Sequence, residues 1–348
     1  MVNTVAFAVP GDPATPTGGY TYDRRIIAEL PDLGWRVDVL NIGEGFPRPT
    51  RETRASAAVR LAAVPEGRPI VIDGLAFGVL PDEAEALRQR HALVALVHHP
   101  LALETGLSQG ASEALRQSER AALATTRHVI ASSPTTARLL NAGYGVPSDR
   151  LTVVQPGTDR VAQPPRRSGD TLTVLSVGAI VPRKGYDVLI AALASLRDRP
   201  WRLVIVGDRT RSPKTAGRLD ADIARHGLGG RIEIAGPITA EELASLYSSA
   251  DLFVLPSRFE GYGMAYAEAI AYGVPVVGTN AGAIPETVPR DAGILVPPDD
   301  VDALATALQR LFDDRKERQR LTAGARAASF PSWHEQATLF ARVLDGLV

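Results

Sequence analysis

The chain has no cysteine among its 348 residues, which excludes disulfides, thiolate metal sites and cysteine nucleophiles together. Lysine is nearly absent as well. Lys184, Lys214 and Lys316 stand against arginine at every other basic position, a bias that reads as genome composition rather than function. The formal net charge is −1, so no excess of one sign points to nucleic acid. No stretch approaches the ~20 apolar residues that span a bilayer. The apolar run Val5 to Val9 has no basic segment before it and is too short for a signal peptide. The chain is therefore expected to be cytoplasmic, with any membrane contact peripheral. Its six histidines show neither H-x-x-x-H nor H-E-x-x-H spacing, so no zinc site is expected. What is present is ordinary for a globular protein: 45% hydrophobic and 22% charged residues, at a length that favours two domains.

The stretch from Ala250 to Glu286 organises the rest. Leu252 to Leu255 is an apolar run of buried-strand type, and Pro256, Ser257 and Gly261 break it. Tyr262 to Tyr272 favours helix, Gly273 and Pro275 stop it, and Val274 to Val277 begins another strand. Strand, glycine loop, helix and strand form a βαβ unit, whose ligand sits at the carboxyl end of the strand by the helix N-terminus. Free N–H groups and the helix dipole there favour phosphate. Glu260 and Glu268 bracket that position. Eight helical residues rise about 12 Å, an upper bound because Glu260 precedes the helix. A sugar nucleotide carries hydroxyls on both sides of its diphosphate at a comparable separation. Taken alone, the same two residues also fit a solvated loop and a surface helix.

Strands and helices alternate over the whole chain, which predicts parallel, doubly wound sheets. In the first half, strands are expected at Thr4 to Val9, Arg36 to Leu40, Ile70 to Asp73, Ala92 to Val97, His128 to Ala131 and Thr152 to Val154. A long loop through Gly18 and Gly19 precedes a helix from Tyr20 to Leu30. His98 and His99 end the fourth strand, where catalytic side chains gather in such sheets, although a lone histidine there also serves structure. Gln155 to Asp170 is polar and rich in proline, a linker by composition, which puts the domains at 1–164 and 165–331. Thr171 to Val177 restarts the pattern. Gly178 and then Arg183-Lys184-Gly185 follow it, two adjacent cations at a strand–helix turn that suit an anion or simply solvent. Thr239 to Glu242 is a capping box, and Ser332 to Leu347 is a final helix with Trp333, Phe340, Val343, Leu344 and Leu347 near helical spacing.

Glu260-Gly261-Tyr262-Gly263 followed by Glu268-Ala269 resembles the Glu-x7-Glu motif of retaining GT-B glycosyltransferases of family 4, the group 1 glycosyl transferases. Pro256-Ser257 before it, and Gly273-Val274-Pro275-Val276-Val277 and Pro285-Glu286 after it, extend the match. The resemblance implies an α/β fold of GT-B type, two Rossmann-like parallel domains facing a cleft, with the final helix returning to the first. It implies sugar transfer, with retention, from a nucleoside diphosphate sugar (UDP- or GDP-linked) to a sugar, lipid or small-molecule acceptor. No cofactor or metal is expected. Asp220-Ala221-Asp222 and Asp300-Val301-Asp302 repeat the Asp-x-Asp spacing of metal-dependent enzymes of the other common fold, but one reads as helix interior and the other as a helix start.

By the same resemblance Gly18 and Gly19 approach the donor diphosphate and acceptor, and His98, with His99 as the alternative, shapes the reacting face. Lys184, before Gly185, contacts donor phosphates near Gly178. Glu260 orients the donor sugar, Glu268 holds the ribose, and Gly261, Tyr262, Gly263 and Met264 line the diphosphate. The family's arginine after the earlier glycine is Ala179 here; Arg183, or otherwise Arg258, is left to replace it. A GT-B epimerase or phosphorylase, or a silent nucleotide-sugar binder, are the rival readings.

Overall fold

The computed structural model describes residues 3–159, 161 and 171–348. The expected boundary at 164/165, with most of the proline-rich linker, lies outside the described residues. The chain forms two compact units, Met1–Gly157 with Pro331–Val348, and Thr158–Phe330.

In the first unit the elements run β1 (Asn3–Val9), α1 (Gly18–Glu29), β2 (Trp35–Asn41), α2 (Arg51–Ala62), β3 (Ile70–Asp73), α3 (Gly74–Phe77), α4 (Pro81–Leu87), β4 (Leu93–Val97), α5 (Gln109–Ala124), β5 (His128–Ala131), α6 (Pro134–Tyr144) and β6 (Leu151–Val153). The six strands are parallel, in the order β2-β1-β3-β4-β5-β6. β1, β3 and β4 are buried almost throughout, which explains their unbroken apolar runs. The order turns back between β1 and β3, the crevice where such sheets bind ligands. The expected loop through Gly19 is shorter than the glycines imply. Thr17 caps α1 by accepting from the Tyr20 N–H at 3.2 Å, so Gly18 and Gly19 form its first turn. Helix α2 carries little apolar signal, since only Ala57 and Leu61 on it are buried.

The last helix, Trp333–Asp345, belongs to this unit. Ser332 and Glu335 form its capping box, Phe340 stacks on Phe7 at 6.1 Å, and Trp35 Nε1 donates to Asp345 Oδ1 at 3.1 Å. Its start lies on Gly157, where a β-carbon would strike the Trp333 backbone at 2.3 Å.

The second unit runs β7 (Leu172–Val177), a 3-10 turn at Pro182–Lys184, α7 (Tyr186–Ala194), β8 (Trp201–Val206), α8 (Pro213–Arg225), β9 (Ile232–Gly236), α9 (Ala240–Ser249), β10 (Leu252–Val254), α10 (Met264–Ala271), β11 (Val276–Thr279), α11 (Ile284–Thr287), β12 (Gly293–Val296), α12 (Val301–Asp313) and α13 (Arg315–Ala327). Its six strands are also parallel, in the order β12-β11-β10-β7-β8-β9. The switch point falls between β7 and β10, where Val174 lies opposite Leu252 and Leu175 opposite Phe253. Helix α10 is shorter than the sequence implies because Gly263, at φ +97°, turns the chain into it, leaving Tyr262 in the loop.

The two Asp-x-Asp stretches have local partners. On α8, Asp220 pairs with Arg209, and Asp222 pairs with Arg225 at 2.7 Å. Asp300 caps α12 by accepting from the Ala303 N–H at 2.8 Å.

Candidate active site

The loops after β7 and β10 meet at the switch point of the second unit, and they carry the residues the sequence singled out. Gly185 closes the turn after Lys184 at φ +70°. A β-carbon there would sit 2.1 Å from the Pro256 carbonyl oxygen, so this turn needs glycine on both counts. The turn brings Lys184 Nζ within 2.7 Å of Glu260 Oε1 and Arg183 Nη1 within 3.0 Å of Glu260 Oε2. Arg183 Nη1 also donates to the Phe259 carbonyl at 2.8 Å, and Ser257 Oγ donates to Glu260 Oε1 at 2.6 Å. Glu260 is buried, not a solvated loop residue. Burial opposes its charge, but Lys184 and Arg183, with hydrogen bonds from Lys184 and Ser257, outweigh that and hold its carboxyl at about 2.

Arg183, not Arg258, accompanies Lys184. Arg258 is held by Asp187 and Asp299, each at 2.7 Å, and by the Pro182 carbonyl, so it braces the loop. Arg258, the sequence's second choice for the missing arginine, thus has its guanidinium engaged by two carboxylates away from Glu260. Ala179 offers no charge, and its neighbour Gly178 provides room instead. A β-carbon at Gly178 would lie 2.9 Å from Lys184 Cε. Because that neighbour is the end of a flexible side chain, Gly178→Ala should fold normally and displace Lys184. We expect a fall of about tenfold in affinity for nucleoside diphosphates, within the range for one charge-assisted contact, at nearly unchanged Tm. Calorimetry and a melting curve on one preparation check both halves.

Helix α10 has no side-chain cap, so no side chain among the described residues caps the N–H groups of its first turn. Met264 opens that turn, and Tyr262, which is buried, accepts from Thr287 Oγ1 through its carbonyl at 2.6 Å. Glu268 lies further along α10, half-buried, and receives the Tyr247 hydroxyl at 2.9 Å on Oε2. Burial pushes its carboxyl up to about 7, against the lowering effect of that hydrogen bond. Tyr247 stacks on Tyr272 at 5.3 Å, which fixes the donor. Ser257 and Tyr247 escape a sequence reading, because a serine in a turn and a tyrosine on a helix have many uses.

In the first unit, α1, β3 and β4 bring Gly19, Asp73 and His98 together. His98 Nε2 lies 3.3 Å from Asp23 Oδ1 and 3.5 Å from Asp73 Oδ2. His99 turns elsewhere, 3.5 Å from Glu104 Oε2. Gly19 adjoins the His98 ring: a β-carbon on it would come within 3.2 Å of Cδ2. Asp23 is the residue the sequence hid, although the buried face of α1 held a sign of it. Tyr22, Asp23 and Ile26 are its buried positions, and a carboxylate in an apolar stripe asks for a partner. Asp23, Asp73 and His98 are also the set, among the described residues, whose ligand atoms lie close enough together, within 4.8 Å, to share an ion. A ring nitrogen between two carboxylates is equally the geometry of an ion pair. A separate groove of about 370 Å³, lined by Arg88, Arg90, His91 and Arg127 among others, adjoins the amino ends of β4 and β5, away from these residues.

Two Rossmann-type parallel sheets with their switch-point residues place the chain among proteins of GT-B fold. The sucrose-phosphate synthase of Thermosynechococcus elongatus superposes with a TM-score of 0.84 over 99% of both chains, at 25% identity. Anabaena HepE in complex with UDP-glucose superposes at 0.78 over 99% of both, at 19% identity. The model for glycosyl transferases group 1 matches residues 158–328, and that for glycosyltransferase family 4 matches residues 76–161. The MMP alpha-(1->4)-mannosyltransferase of Mycolicibacterium hassiacum is 30% identical over 84% of this chain and 74% of its own length. The chain therefore belongs to the family 4, group 1 glycosyltransferases. The D-inositol 3-phosphate glycosyltransferase of Xylanimonas cellulosilytica is 35% identical over 63% of this chain. A GDP-mannose-dependent alpha-(1-6)-phosphatidylinositol monomannoside mannosyltransferase of Mycobacterium tuberculosis is 34% identical over 58% of it. The matches span 57% and 56% of those two proteins.

Proposed function

We propose that this glycosyltransferase moves a sugar, with retention and without a metal, from a UDP- or GDP-sugar to a sugar, lipid or small-molecule acceptor. The observation that carries the reading is the convergence of Lys184 and Arg183 on Glu260 at the β7/β10 switch point, beside the uncapped start of α10. When the donor's anomeric bond breaks, charge gathers on the diphosphate and the sugar becomes cationic. Two fixed cations and a helix N-terminus stabilise the first of these without reorganising, the role a metal fills elsewhere. Without donor, Glu260 neutralises the cations. With donor, the phosphates take over that partnership, and the carboxylate is released to orient the sugar. Gly178 gives Lys184 its path, and Gly261, Gly263 and Met264 supply backbone close to the diphosphate.

Glu268 is assigned to the ribose hydroxyls, with Tyr247 holding it in place. His98 serves the reacting face, alongside Gly18 and Gly19. An acceptor carried on a lipid, as the mycobacterial relative's name describes for that protein, would require only peripheral membrane contact. No helix among the described residues is long and apolar enough to cross a membrane.

The test is a thermal-shift screen of UDP, GDP, ADP and their sugars, followed by donor consumption in excess EDTA. A ligand that binds the native state raises its apparent stability. One base should shift the melt, and turnover of its sugar should persist in EDTA. Loss of turnover in EDTA with full recovery on Mg²⁺ or Mn²⁺ would count against the mechanism.

The raised carboxyl of Glu268 gives a pH prediction. If the ionised form accepts the ribose hydroxyls, donor affinity should strengthen as pH rises through about 7. Glu268→Gln should raise the donor KM by about tenfold, leave kcat nearly intact and abolish that pH dependence. A pH dependence unchanged in the Gln variant would remove Glu268 from the binding site.

A further inference from the structure

We infer that Asp23 and Asp73 are positioning residues that hold His98 as an imidazolium, so that the first unit presents a fixed N–H donor at this point and not a base. Asp23 is fully buried, and neither of its oxygens has a hydrogen-bond partner among the described residues. A carboxylate so placed costs several kcal/mol unless a cation answers it. The cation available is His98, whose Nε2 stands 3.3 Å from Oδ1, off the direction of a good hydrogen bond but within ion-pair range. Asp73 is buried too. Its Oδ1 accepts from the Leu75 N–H at 2.7 Å, which leaves Oδ2 3.5 Å from the same ring nitrogen.

The rest of the residue is clamped. The His98 carbonyl accepts from Ser132 Oγ at 2.9 Å and Thr136 Oγ1 at 3.3 Å. The Tyr22 ring meets the imidazole edge-on at 5.1 Å, and Gly19 lies against the Cδ2–Nε2 edge. Nε2 is therefore interior, while 21% of the side chain as a whole stays exposed.

The titratable groups facing the ring are Asp23 and Tyr22 from α1 and Asp73 from the end of β3, while Ser132 and Thr136 hold the backbone carbonyl. The Tyr22 hydroxyl donates a hydrogen bond to the Val154 carbonyl at 2.9 Å, and burial lifts its phenol well above the usual value, so it stays neutral. Burial opposes a charge on His98, but Asp23 and Asp73 outweigh it and raise the ring to about 10. Burial first, then Asp73, pushes Asp23 up to about 7, against the pull of His98. As pH falls through neutrality it is therefore Asp23 that gains a proton, with His98 already charged.

A ring protonated on both nitrogens has no lone pair with which to abstract a proton. With Nε2 turned inward, the Nδ1–H can only donate, to a hydroxyl or to an oxygen gaining negative charge. That last step rests on the proposed glycosyl transfer; the charge state does not.

The experiment is a ¹H–¹⁵N correlation spectrum of the histidine rings of the full chain between pH 6 and 9, with His98 assigned by its loss in His98→Gln. In the wild type both ring nitrogens should keep imidazolium shifts beyond pH 8. Asp23→Asn and Asp73→Asn should each lower the midpoint by about 1–3 units, the usual effect of one close opposite charge. In the Asp73→Asn variant the amide oxygen can still accept from the Leu75 N–H, which keeps that turn intact. A neutral His98 tautomer in the wild type at pH 7.5 would overturn the inference even if neither variant folds. Folded variants that titrate as the wild type does, or displacement of the ring protons by one equivalent of Zn²⁺ at pH 7, would overturn it as well. None of these outcomes depends on donor or acceptor, so a failure here is separable from a failure of the proposed transfer.

Discussion

Replacing Lys184 with alanine should weaken binding of the nucleoside diphosphate by about 100-fold, or ~2.7 kcal/mol, while the free nucleoside loses little. The ammonium is held in place on the Glu260 carboxylate. Its Nζ sits 2.7 Å from Glu260 Oε1, its side chain is mostly buried, and Gly178 and Gly185 shape its path. In the donor-free chain that charge has a partner in place, so the binding gain comes from exchanging one anion for another with two charges. Truncation leaves Arg183 and Ser257 still on Glu260, and the fold should lose only modest stability. Calorimetry with diphosphate and nucleoside side by side decides the matter. Equal losses for both would remove the phosphate role.

Glu260→Gln should lower kcat by about 100-fold, the scale of one transition-state electrostatic contact, with little change in donor KM. The same substitution should leave affinity for the sugar-free nucleoside diphosphate unchanged or improved, because the amide no longer competes for Lys184 and Arg183. A cost in stability accompanies it, since two partly buried cations lose their counter-charge. The sign of its pH dependence follows from the depressed carboxyl. Folded Glu260 ionises at about 2 against an ordinary 4.5, so its contribution is fully present above 4.5 and is lost as pH falls toward 2. The Tm difference between wild type and variant should therefore be constant near neutrality and shrink below about 4.5. A rise in KM at constant kcat would mean that Glu260 and Glu268 have exchanged roles.

The second unit was legible wherever its chemistry is local. Leu252 to Glu286 shows its strand, loop, helix and strand through apolar runs and glycines, and Lys184-Gly185 marks a strand–helix turn within one short stretch. Strand order is different, because periodicity carries no information on which strands are neighbours. The placement of β7 beside β10 brings Arg183 and Lys184 onto Glu260, and only the fold shows it. Tyr247 reaches Glu268 from a separate helix for the same reason. Gly18 and Gly19 misled in another way: two poor helix formers signal a loop, yet Thr17 starts the helix before them. In the first unit His98 was visible as a strand-end histidine. Its counter-charges come from α1 and β3, far away in sequence, and Asp23 could have been found as the one acid on a buried helix face.

The most direct measurement on the central claim is calorimetric titration of the chain, in excess EDTA, with the nucleoside diphosphate picked out by thermal shift and with its parent nucleoside. If Lys184, Arg183 and the start of α10 form a metal-free diphosphate site, the diphosphate should bind at least about 100-fold more tightly than the nucleoside, and adding Mg²⁺ should change that ratio little. Equal affinities in EDTA, or a preference for the diphosphate that appears only with Mg²⁺, would contradict it.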